Sequence, residues 1–401
     1  MILATLRLIV HTLGHALAGR IARAFRSTAR GEQKLRIGVD IRPFYEPLTG
    51  VGWYLYHLLH ELARRDDVEL VLFGDARMTD EGPHLHCDLP EGSQLCAFDL
   101  RGQPKSRFAR PLTAAAYVVW MALLDCDVFF AANYFLPRLM GAVALRRVIV
   151  VHDLTYKRFP ELLQKETLDS LERQMSREIA LADAIVCVSE STRHDLLAYY
   201  QADPHRVHAI HSGIATPPQS APLVGLPPHY ILFVSTIEPR KNLSVLLDAF
   251  AAVQSDYDGW LVVAGKIGWK SEDIAPRLHA PRIMHLDYVP APELATAYAH
   301  ADLFVFPSLY EGFGFPLLEA MSLGVPSIAA RSSSLPEIGG DAALYFDPHD
   351  AGELASLVRR VLRDDTLRRD LVARGRERAA QFRWDAAAEK TLKVLRDACA
   401  S

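Results

Sequence analysis

Short, β-rich apolar runs alternate with longer helical runs along most of the chain after Lys34. The first predicted strand, residues 35–41, is followed by a loop and then by a helix with four leucines on one face, at positions 55, 58, 59 and 62. The same alternation starts again near residue 230. Such a pattern is typical of parallel sheets covered by helices, so the sequence predicts an α/β fold.

A proline-rich segment, residues 216–228, divides the alternating pattern into two halves. Five of these 13 residues are prolines, and no apolar periodicity runs through them, as expected of a linker. We therefore predict an extension (1–33), a Rossmann-like domain (34–215), the linker, a second Rossmann-like domain (229–380) and a C-terminal helix (381–401). Ligands of open α/β sheets bind outside the carboxyl ends of the strands, so the cleft between the two domains is the expected site.

Charge is distributed unevenly along the 401 residues. Five of the 44 basic residues lie within residues 1–31, which contain no acid, and this leaves 39 basic against 48 acidic residues in the remainder. An acidic body argues against an extended nucleic-acid surface, which requires clustered lysine and arginine. The five cysteines are widely spaced and include no C-x-x-C pair. Neither a disulfide framework nor a zinc site is predicted, and a reducing, cytoplasmic location is favoured.

The basic N-terminal segment has the pattern of an amphipathic helix. Apolar residues recur at positions 3, 6, 10, 13, 17 and 21, and histidines and arginines at 11, 15, 23, 26 and 30 fall largely on the other side. Residues 1–30 are therefore predicted to contact an anionic membrane surface, on the inner face of the cytoplasmic membrane. An extension that packs on its own protein or stays disordered is the alternative. A signal peptide fits less well, because Arg7 and two histidines interrupt the apolar region.

The loop after the first predicted strand contains Gly50 and Gly52. Glycine allows a close backbone approach to an anion, and the N-terminus of the following helix presents unpaired N–H groups. The loop fits either a phosphate contact or an ordinary tight turn. It does not fit a dinucleotide fingerprint, because Leu55 takes the place of the third glycine.

A second loop, Glu238-Pro239-Arg240-Lys241-Asn242, places two adjacent cations between a strand end and a helix. We predict that Asn242 caps this helix, so that side-chain charge and helix dipole converge on one anion. The alternative is a pair of solvated surface cations. The position at the carboxyl end of a strand favours the anion site.

A third loop, residues 311–319, reads EGFGFPLLE and leads from a strand into a helix whose first turn suits Pro316. Backbone N–H groups from Gly314 to Leu317 are expected to face a diphosphate. Glu311 and Glu319 flank this loop, and a carboxylate can accept two hydrogen bonds from a sugar cis-diol. The pattern favours a nucleotide sugar, with a solvated Glu311 and a helix-dipole role for Glu319 as the alternative.

His152 ends a very apolar strand in Val151-His152-Asp153 and points toward the same predicted cleft. A histidine at such a place is either a structural hydrogen-bonding group or a catalyst. Asp125 and Asp127 have the spacing of a D-x-D metal motif, but they lie between an apolar helix and a strand. We interpret that spacing as coincidence and predict no metal site.

These stretches together resemble the retaining glycosyltransferases of family 4, which have the GT-B fold. The resemblance covers residues 34 to about 395 and rests on EGFGFPLLEAMSLGVPSIA (311–329), EPRKN (238–242), TGVG (49–52) and VHDL (151–154). It implies two Rossmann-like, doubly wound domains that face a cleft, with the C-terminal helix crossing back to the N-terminal domain. The N-terminal domain would then bind the acceptor and the C-terminal domain the nucleotide donor.

The resemblance also implies roles for individual residues. Arg240 and Lys241 would bind the donor diphosphate, Glu311 would bind hydroxyls of the transferred sugar, and His152 would contact that sugar or support an oxocarbenium-like transition state. The other implied donor contacts are Gly50, Gly52, Lys266, Gly314, Phe315, Pro316, Leu317 and Glu319, the last of them to the ribose.

The implied reaction is a metal-independent transfer of a hexose with retention, to a glycan or lipid-linked oligosaccharide in cell-surface polysaccharide synthesis. Residues 264–269 (AGKIGW) and 40–43 (DIRP) look like those of bacterial mannosyl- and rhamnosyltransferases, which favours GDP-mannose as the donor. An epimerase or phosphorylase of the same fold and a dinucleotide-dependent oxidoreductase are the alternatives.

Overall fold

The computed structural model describes residues 34–75, 78–79, 82–83, 85–98, 126–136, 145–163, 165–215 and 225–400. The predicted extension, residues 1–33, and residues 216–224 of the predicted linker lie outside these ranges. No helix in the described part of the chain is long and apolar enough to span a membrane.

The first sheet is formed by seven parallel strands. They are β1 (Leu35–Asp40), β2 (Val68–Asp75), β5 (Gln94–Phe98), β6 (Val128–Ala131), β7 (Arg146–Val151), β8 (Ala184–Cys187) and β9 (Val207–Ala209), and a short ribbon of β3 (Met78–Thr79) and β4 (Gly82–Pro83) follows β2. Their order is β5-β2-β1-β6-β7-β8-β9. The central strand β6 is buried along its whole length, because helices cover both faces of a parallel sheet.

The second sheet repeats this architecture with six parallel strands. They are β10 (Tyr230–Val234), β11 (Trp260–Ala264), β12 (Ile283–Leu286), β13 (Leu303–Phe306), β14 (Ser327–Ala330) and β15 (Leu344–Phe346), in the order β12-β11-β10-β13-β14-β15. The strand order reverses between β10 and β13, which are neighbours. A ligand crevice is expected at such a reversal, outside the carboxyl ends of the two strands.

Helices connect the strands of both sheets. Those of the described residues are α1 (Gly50–Ala63), α2 (Thr155–Arg158), α3 (Lys165–Leu181), α4 (Glu190–Tyr200), α5 (Leu243–Val253), α6 (Ala291–Ala299), α7 (Phe315–Ser322), α8 (Leu335–Gly339), α9 (Ala351–Arg363), α10 (Asp365–Ala379) and α11 (Trp384–Ala400). The four leucines predicted to share one face of the first helix are fully buried in α1. The predicted α/β architecture with two doubly wound sheets is confirmed.

The last helix returns to the first domain. Although α11 follows the second sheet in sequence, it packs against α1 and against strands β6, β7 and β8 of the first sheet. The chain crosses beside Gly213, where any Cβ would overlap both the backbone and the ring of Trp384. The predicted return of the C-terminal helix to the N-terminal domain is confirmed.

Candidate active site

The loop between β10 and α5 carries the two predicted cations. Pro239–Lys241 form a 3₁₀ turn, and Asn242 follows at φ 55°, a left-handed conformation that asparagine tolerates better than most residues. Asn242 occupies the N-cap position of α5, as predicted, but its side chain makes no capping hydrogen bond. Its Nδ2 instead donates to the carbonyls of Pro307, at 3.1 Å, and Pro348, at 2.7 Å. Asn242 thereby ties the cation-bearing loop to the end of β13.

The loop between β13 and α7 carries the predicted carboxylates. Gly314 has φ 117°, which strongly favours glycine, and Pro316 lies in the first turn of α7 as predicted. The expectation that N–H groups from Gly314 to Leu317 face a diphosphate is partly wrong. Pro316 has no N–H, and the Leu317 N–H donates to the Gly314 carbonyl at 3.1 Å.

Three consecutive serines hold this glycine-rich loop from the β14–α8 connection. The Ser333 hydroxyl accepts from the Glu311 N–H at 2.7 Å, and the Ser334 hydroxyl donates to the carbonyls of Glu311 and Phe313, at 2.9 and 2.7 Å. Ser332 donates to the Ser308 carbonyl at 2.6 Å. The backbone of Glu311 is therefore held at both its N–H and its carbonyl.

Arg240, Lys241 and Glu311 meet in one buried ion cluster. The Glu311 carboxylate accepts from Lys241 Nζ at 2.7 Å through Oε1 and from Arg240 Nη1 at 3.0 Å through Oε2. Glu238 lies on the other side of the guanidinium, with its Oε1 2.8 Å from Arg240 Nη2. The side chains are only 4–17% exposed. The reversal between β10 and β13 thus brings together the cations and the acid of two separate motifs.

Mutual charge controls protonation in this ion cluster. Burial opposes ionisation of Glu311, but the charges of Lys241 and Arg240 outweigh it and lower its carboxyl pKa to about 2. Burial lowers the pKa of Lys241, and the charge of Glu311 acts in the opposite direction. For Arg240, burial acts to lower the pKa, while the charges of Glu311, Asp153 and Glu238 raise it above its ordinary value. The Glu311 carboxylate is therefore ionised at neutral pH.

Glu319 lies on α7 and is held by a tyrosine of α6. The Tyr298 hydroxyl, which is buried, donates to Glu319 Oε2 at 3.1 Å. Burial raises the pKa of the Glu319 carboxyl, and the tyrosine hydrogen bond partly offsets this. The tyrosine thus fixes one of the two carboxylate oxygens.

His152 follows β7 and is neutral at physiological pH, because burial lowers its pKa. Its Nε2 is 2.7 Å from the Ala132 carbonyl oxygen, and since a carbonyl only accepts, Nε2 carries the hydrogen. The rings of Tyr54 and Tyr134 contact the imidazole at centroid distances of 5.0 and 5.9 Å. The structural hydrogen bond considered in the sequence analysis is present, and a contact with sugar stays a prediction.

The two domains touch where His152 meets the glycine-rich loop. A Cβ on Gly312 would overlap the carbonyl oxygen of His152, so only glycine fits this approach. The Ser189 hydroxyl donates to the Gly312 carbonyl at 2.6 Å. Tyr310 donates to Asp195 Oδ2 at 2.8 Å, across the same boundary. These bonds bring the end of β7 against the loop that carries Glu311.

A second interdomain contact involves Glu337 of α8. Its carboxylate accepts from the backbone N–H groups of Glu190, at 2.7 Å, and Ser191, at 2.9 Å, at the N-terminus of α4. His211 Nε2 lies 2.5 Å from the same carboxylate. An acid at a helix N-terminus is favoured by the helix dipole, so this contact stabilises the domain arrangement.

The remaining predicted donor residues lie in different environments. Gly50 is the exposed first residue of α1, with no heavy atom within 4 Å of where a Cβ would lie. Gly52 is buried, and a Cβ there would lie 3.0 Å from Leu48, so its small size serves packing. Lys266 is exposed, with its Nζ 5.2 Å from the ring centroid of Tyr288. None of the three contacts the ion cluster through a hydrogen bond or ion pair among the described residues.

Asp127, the second aspartate of the D-x-D spacing, has a structural role. Asp127 Oδ2 accepts from the backbone N–H of Arg36 at 2.7 Å, which joins the start of β6 to β1. Asp125 lies outside the described residues. Within the described ranges, no group of three histidine, cysteine or acidic side chains is arranged to hold a metal ion.

Sequence reasoning missed four groups of this site. Glu238 lies in the EPRKN motif, but its pairing with Arg240 was not predicted from that motif. Tyr298, Ser333 and Ser334 were not singled out, because their partners are 21 to 23 residues away in sequence. The run of three serines after β14 was the available signal, since clustered hydroxyls commonly bond to nearby backbone.

Comparison with known proteins covers both domains. Residues 48–216 match the family described as Glycosyltransferase Family 4, and residues 222–378 match Glycosyl transferases group 1. The chain is 31% identical over 388 residues to the O-antigen chain mannosyltransferase B of Escherichia coli, which covers 90% of this chain and 100% of that protein. It is also 31% identical to the D-inositol 3-phosphate glycosyltransferase of Corynebacterium diphtheriae, over 90% of this chain and 94% of that one.

Solved structures share the architecture at lower identity. WaaG, a glycosyltransferase involved in lipopolysaccharide biosynthesis, matches 90% of this chain and 99% of its own, with a TM-score of 0.64 and 17% identity. Anabaena HepE in complex with UDP matches 90% of this chain and 100% of its own, with a TM-score of 0.65 and 16% identity. At these identities the likeness concerns the fold.

The two parallel-sheet domains have the architecture of the GT-B glycosyltransferases, and the paired cations lie at the strand reversal of the second domain. Both domain matches and the Escherichia coli relative agree with this class. The chain belongs to the family-4, group-1 glycosyltransferases. It is a hexosyltransferase, which confirms the predicted enzyme class.

Proposed function

We propose that this protein transfers mannose from GDP-mannose to a growing glycan or lipid-linked oligosaccharide, with retention and without a metal ion. The buried cluster of Arg240, Lys241 and Glu311 carries the proposal. Mannose is supported by several relatives, among them the O-antigen chain mannosyltransferase B and the serotype-specific mannosyltransferase WbdA of Escherichia coli. The latter is 31% identical over 60% of this chain.

The ion cluster contains two cations that a diphosphate could bind in place of Glu311. Without donor, Arg240 and Lys241 are balanced by Glu238 and Glu311. A diphosphate would compete with Glu311 for the two cations, which would free that carboxylate to accept hydrogen bonds from hydroxyls of the transferred sugar. Cations fixed in a site of low dielectric stabilise the charge that grows on a leaving diphosphate, so they can replace a metal ion.

The proposed transfer breaks the bond between C1 of mannose and the β-phosphate oxygen. The acceptor hydroxyl oxygen forms the new bond to C1 on the same face, and its proton passes to the departing phosphate oxygen. The products are GDP and the mannoside. In this step Arg240 and Lys241 stabilise the leaving group, Glu311 orients the sugar, and the neutral His152 contacts the sugar from the opposite domain.

The nucleotide is proposed to extend from the ion cluster toward α7. Glu319 Oε1 would accept from the ribose hydroxyls while Tyr298 fixes the other oxygen. The first turn of α7, with Phe315, Pro316 and Leu317, would then lie beside the phosphates. Lys266 and the Gly50 loop would contact the donor from the sides of the cleft.

A thermal-shift panel tests this assignment. GDP-mannose, UDP-glucose, UDP-N-acetylglucosamine, dTDP-rhamnose and NAD are compared in the presence of EDTA. GDP-mannose is expected to raise the melting temperature most, because only the favoured base and sugar complete the site. Stabilisation by NAD and by no sugar nucleotide would contradict the proposal.

We also propose that residues 1–30 place the enzyme on the inner face of the cytoplasmic membrane, near a lipid-linked acceptor. The proposal rests on the basic amphipathic sequence pattern of that segment. The full chain and a variant lacking residues 1–30 are compared for sedimentation with phosphatidylglycerol vesicles. Loss of binding with unchanged GDP-mannose hydrolysis is expected, and equal vesicle binding by both proteins would refute the membrane role.

A further inference from the structure

A second recess lies outside the donor cleft, where the chain crosses back from the second domain to the first. Its volume is about 560 Å³, within the range of small-ligand sites. Its walls are the last turn of α1, the ends of α7 and α10, and the first residues of α11. The segment that crosses between the domains is anchored there by the Ile214 N–H, which donates to the Phe382 carbonyl at 3.0 Å. The proposed transfer reaction assigns no role to this recess.

The polar groups of the recess come as guanidinium–carboxylate pairs. Arg64 Nη1 lies 2.5 Å from Glu61 Oε1, and Arg383 Nε donates to Asp385 Oδ1 at 3.0 Å. Arg64 and Arg383 remain 72% and 66% exposed, so both pairs are accessible to a ligand. A third guanidinium, that of Arg376, also lines the recess. Each pair offers donors and acceptors side by side, which is what neighbouring sugar hydroxyls require.

Aromatic rings lie beside these pairs. Phe382 and Trp384 both line the recess, but they are only 5% and 8% exposed, and Trp384 is stacked against His57 and Phe315, so these rings form its buried floor. A phosphate fits less well, because two carboxylates share the recess with the three arginines. The polar lining likewise disfavours an apolar ligand. A saccharide is the ligand class that uses these donors and acceptors together, and the exposed ring of Trp53, farther along α1, suits the apolar C–H face of a sugar.

A line of stacked rings connects the recess to the donor cleft. Trp384 lies parallel to Phe315 of the donor loop, at 22° with centroids 6.4 Å apart, and also to His57 of α1, at 23° and 5.1 Å. Trp53, which is 44% exposed, stacks on His57 at 24° and 5.7 Å. Trp53, His57 and the recess residues Glu61 and Arg64 recur at helical spacing on one face of α1. This face spans about 16 Å from Trp53 to Arg64.

We propose that this recess binds a distal sugar of the acceptor glycan, and that the glycan lies along the Trp53 face of α1 between the cleft and the recess. The inference rests on the proposed glycan-elongating function. Once one sugar of the glycan is bound, binding of a second sugar of the same glycan is intramolecular. Longer acceptors therefore bind more tightly than short ones, without any change at the reacting sugar.

The test measures transfer from GDP-mannose to methyl α-mannoside and to α-mannose oligosaccharides of increasing length. The variants are Arg383→Ala and Arg64→Ala. The control is Arg363→Ala, because Arg363 is also 66% exposed and faces an aspartate elsewhere on the surface. In the wild type and the control, KM should fall with acceptor length. In each recess variant, KM for the longest acceptor should rise about tenfold, which corresponds to the loss of one charge-assisted hydrogen bond. The kcat/KM for methyl α-mannoside should be unchanged.

Saturation-transfer NMR with the longest oligosaccharide and no donor gives a second, activity-independent readout. If the oligosaccharide binds the wild type and binds Arg383→Ala more weakly, the recess proposal is supported. If no transfer from GDP-mannose occurs in the same proteins, only the proposed function fails. Transfer with the same length dependence in the wild type and both recess variants overturns the recess while the proposed function stands. Binding that is equal in the wild type and Arg383→Ala overturns it as well.

Discussion

We propose that the ion pair between Lys241 and Glu311 makes both a structural and a catalytic contribution, and two substitutions separate these contributions. The pair is 2.7 Å long, and its side chains are 12% and 11% exposed. Lys241→Met leaves the buried carboxylate with Arg240, at 3.0 Å. Breaking a buried pair from one side costs about 3–5 kcal/mol. Because Arg240 remains, we expect Lys241→Met to lower the free energy of unfolding of the second domain by about 3 kcal/mol.

The double variant Lys241→Met/Glu311→Gln removes both charges while nearly keeping side-chain volume. A neutral pair has little desolvation penalty, so stability should return to within about 1 kcal/mol of the wild type. Turnover should not return, because the diphosphate still lacks a cation. Loss of one preorganised charge-stabilising group lowers kcat by about 100- to 1,000-fold.

Urea unfolding monitored by tryptophan fluorescence measures the stability of the wild type, both single variants and the double variant, and GDP release measures turnover. Two results would refute the reasoning. One is a double variant as unstable as Lys241→Met, which would mean that the pair is not coupled. The other is a stable double variant with wild-type turnover, which would remove Lys241 from the donor site.

Three further predictions follow from other contacts. Tyr298→Phe should raise KM for GDP-mannose several-fold with little effect on kcat, because Glu319 loses the hydroxyl that orients it; steady-state kinetics check this, and an unchanged KM would contradict it. Glu337→Gln should lower the melting temperature by a few degrees, because hydrogen bonds to a charged carboxylate between the domains are weakened; calorimetry measures the shift, and no shift would mean the contact adds no stability. Burial lowers the pKa of His57 from 6.5 to about 4. Between these two pH values the unfolded chain binds a proton at His57 and the folded chain does not, so the free energy of unfolding should fall as the pH drops from 6.5 to 4. Between pH 6.5 and 4 the urea midpoint should change less with pH in His57→Gln than in the wild type. An equal pH dependence in the two proteins would contradict the lowered pKa of His57.

The apolar strands were predictable because parallel strands with both faces covered must be apolar throughout. Residues 35–41 were predicted as a strand and contain β1, whose last four residues are buried, and β6 and β13 are buried along their whole length. The helix predicted from its four leucines is α1, in which all four are buried. The regular pattern of each element was therefore enough to place the two sheets and the loops between them.

Side-chain partners across loops were not predictable from local pattern. Asn242 has the residue type and position of a cap, yet its left-handed backbone accompanies hydrogen bonds to carbonyls 65 and 106 residues away. A solvated Glu311 was one of the two interpretations of its loop, but its side chain is only 11% exposed and is paired with both cations. Such contacts depend on how β10 and β13 pair, and this is a property of the sheet rather than of either segment.

We propose that the cations of the second domain, without a metal ion, drive cleavage of a mannosyl donor. GDP release from GDP-mannose by the wild type and Arg240→Ala, both in excess EDTA, tests it most directly. We expect the wild-type rate to be unaffected by the chelator and the Arg240→Ala rate to be at least about 100-fold lower. A wild-type rate that EDTA abolishes and Mg²⁺ restores, or a variant that retains full turnover in EDTA, would contradict the claim.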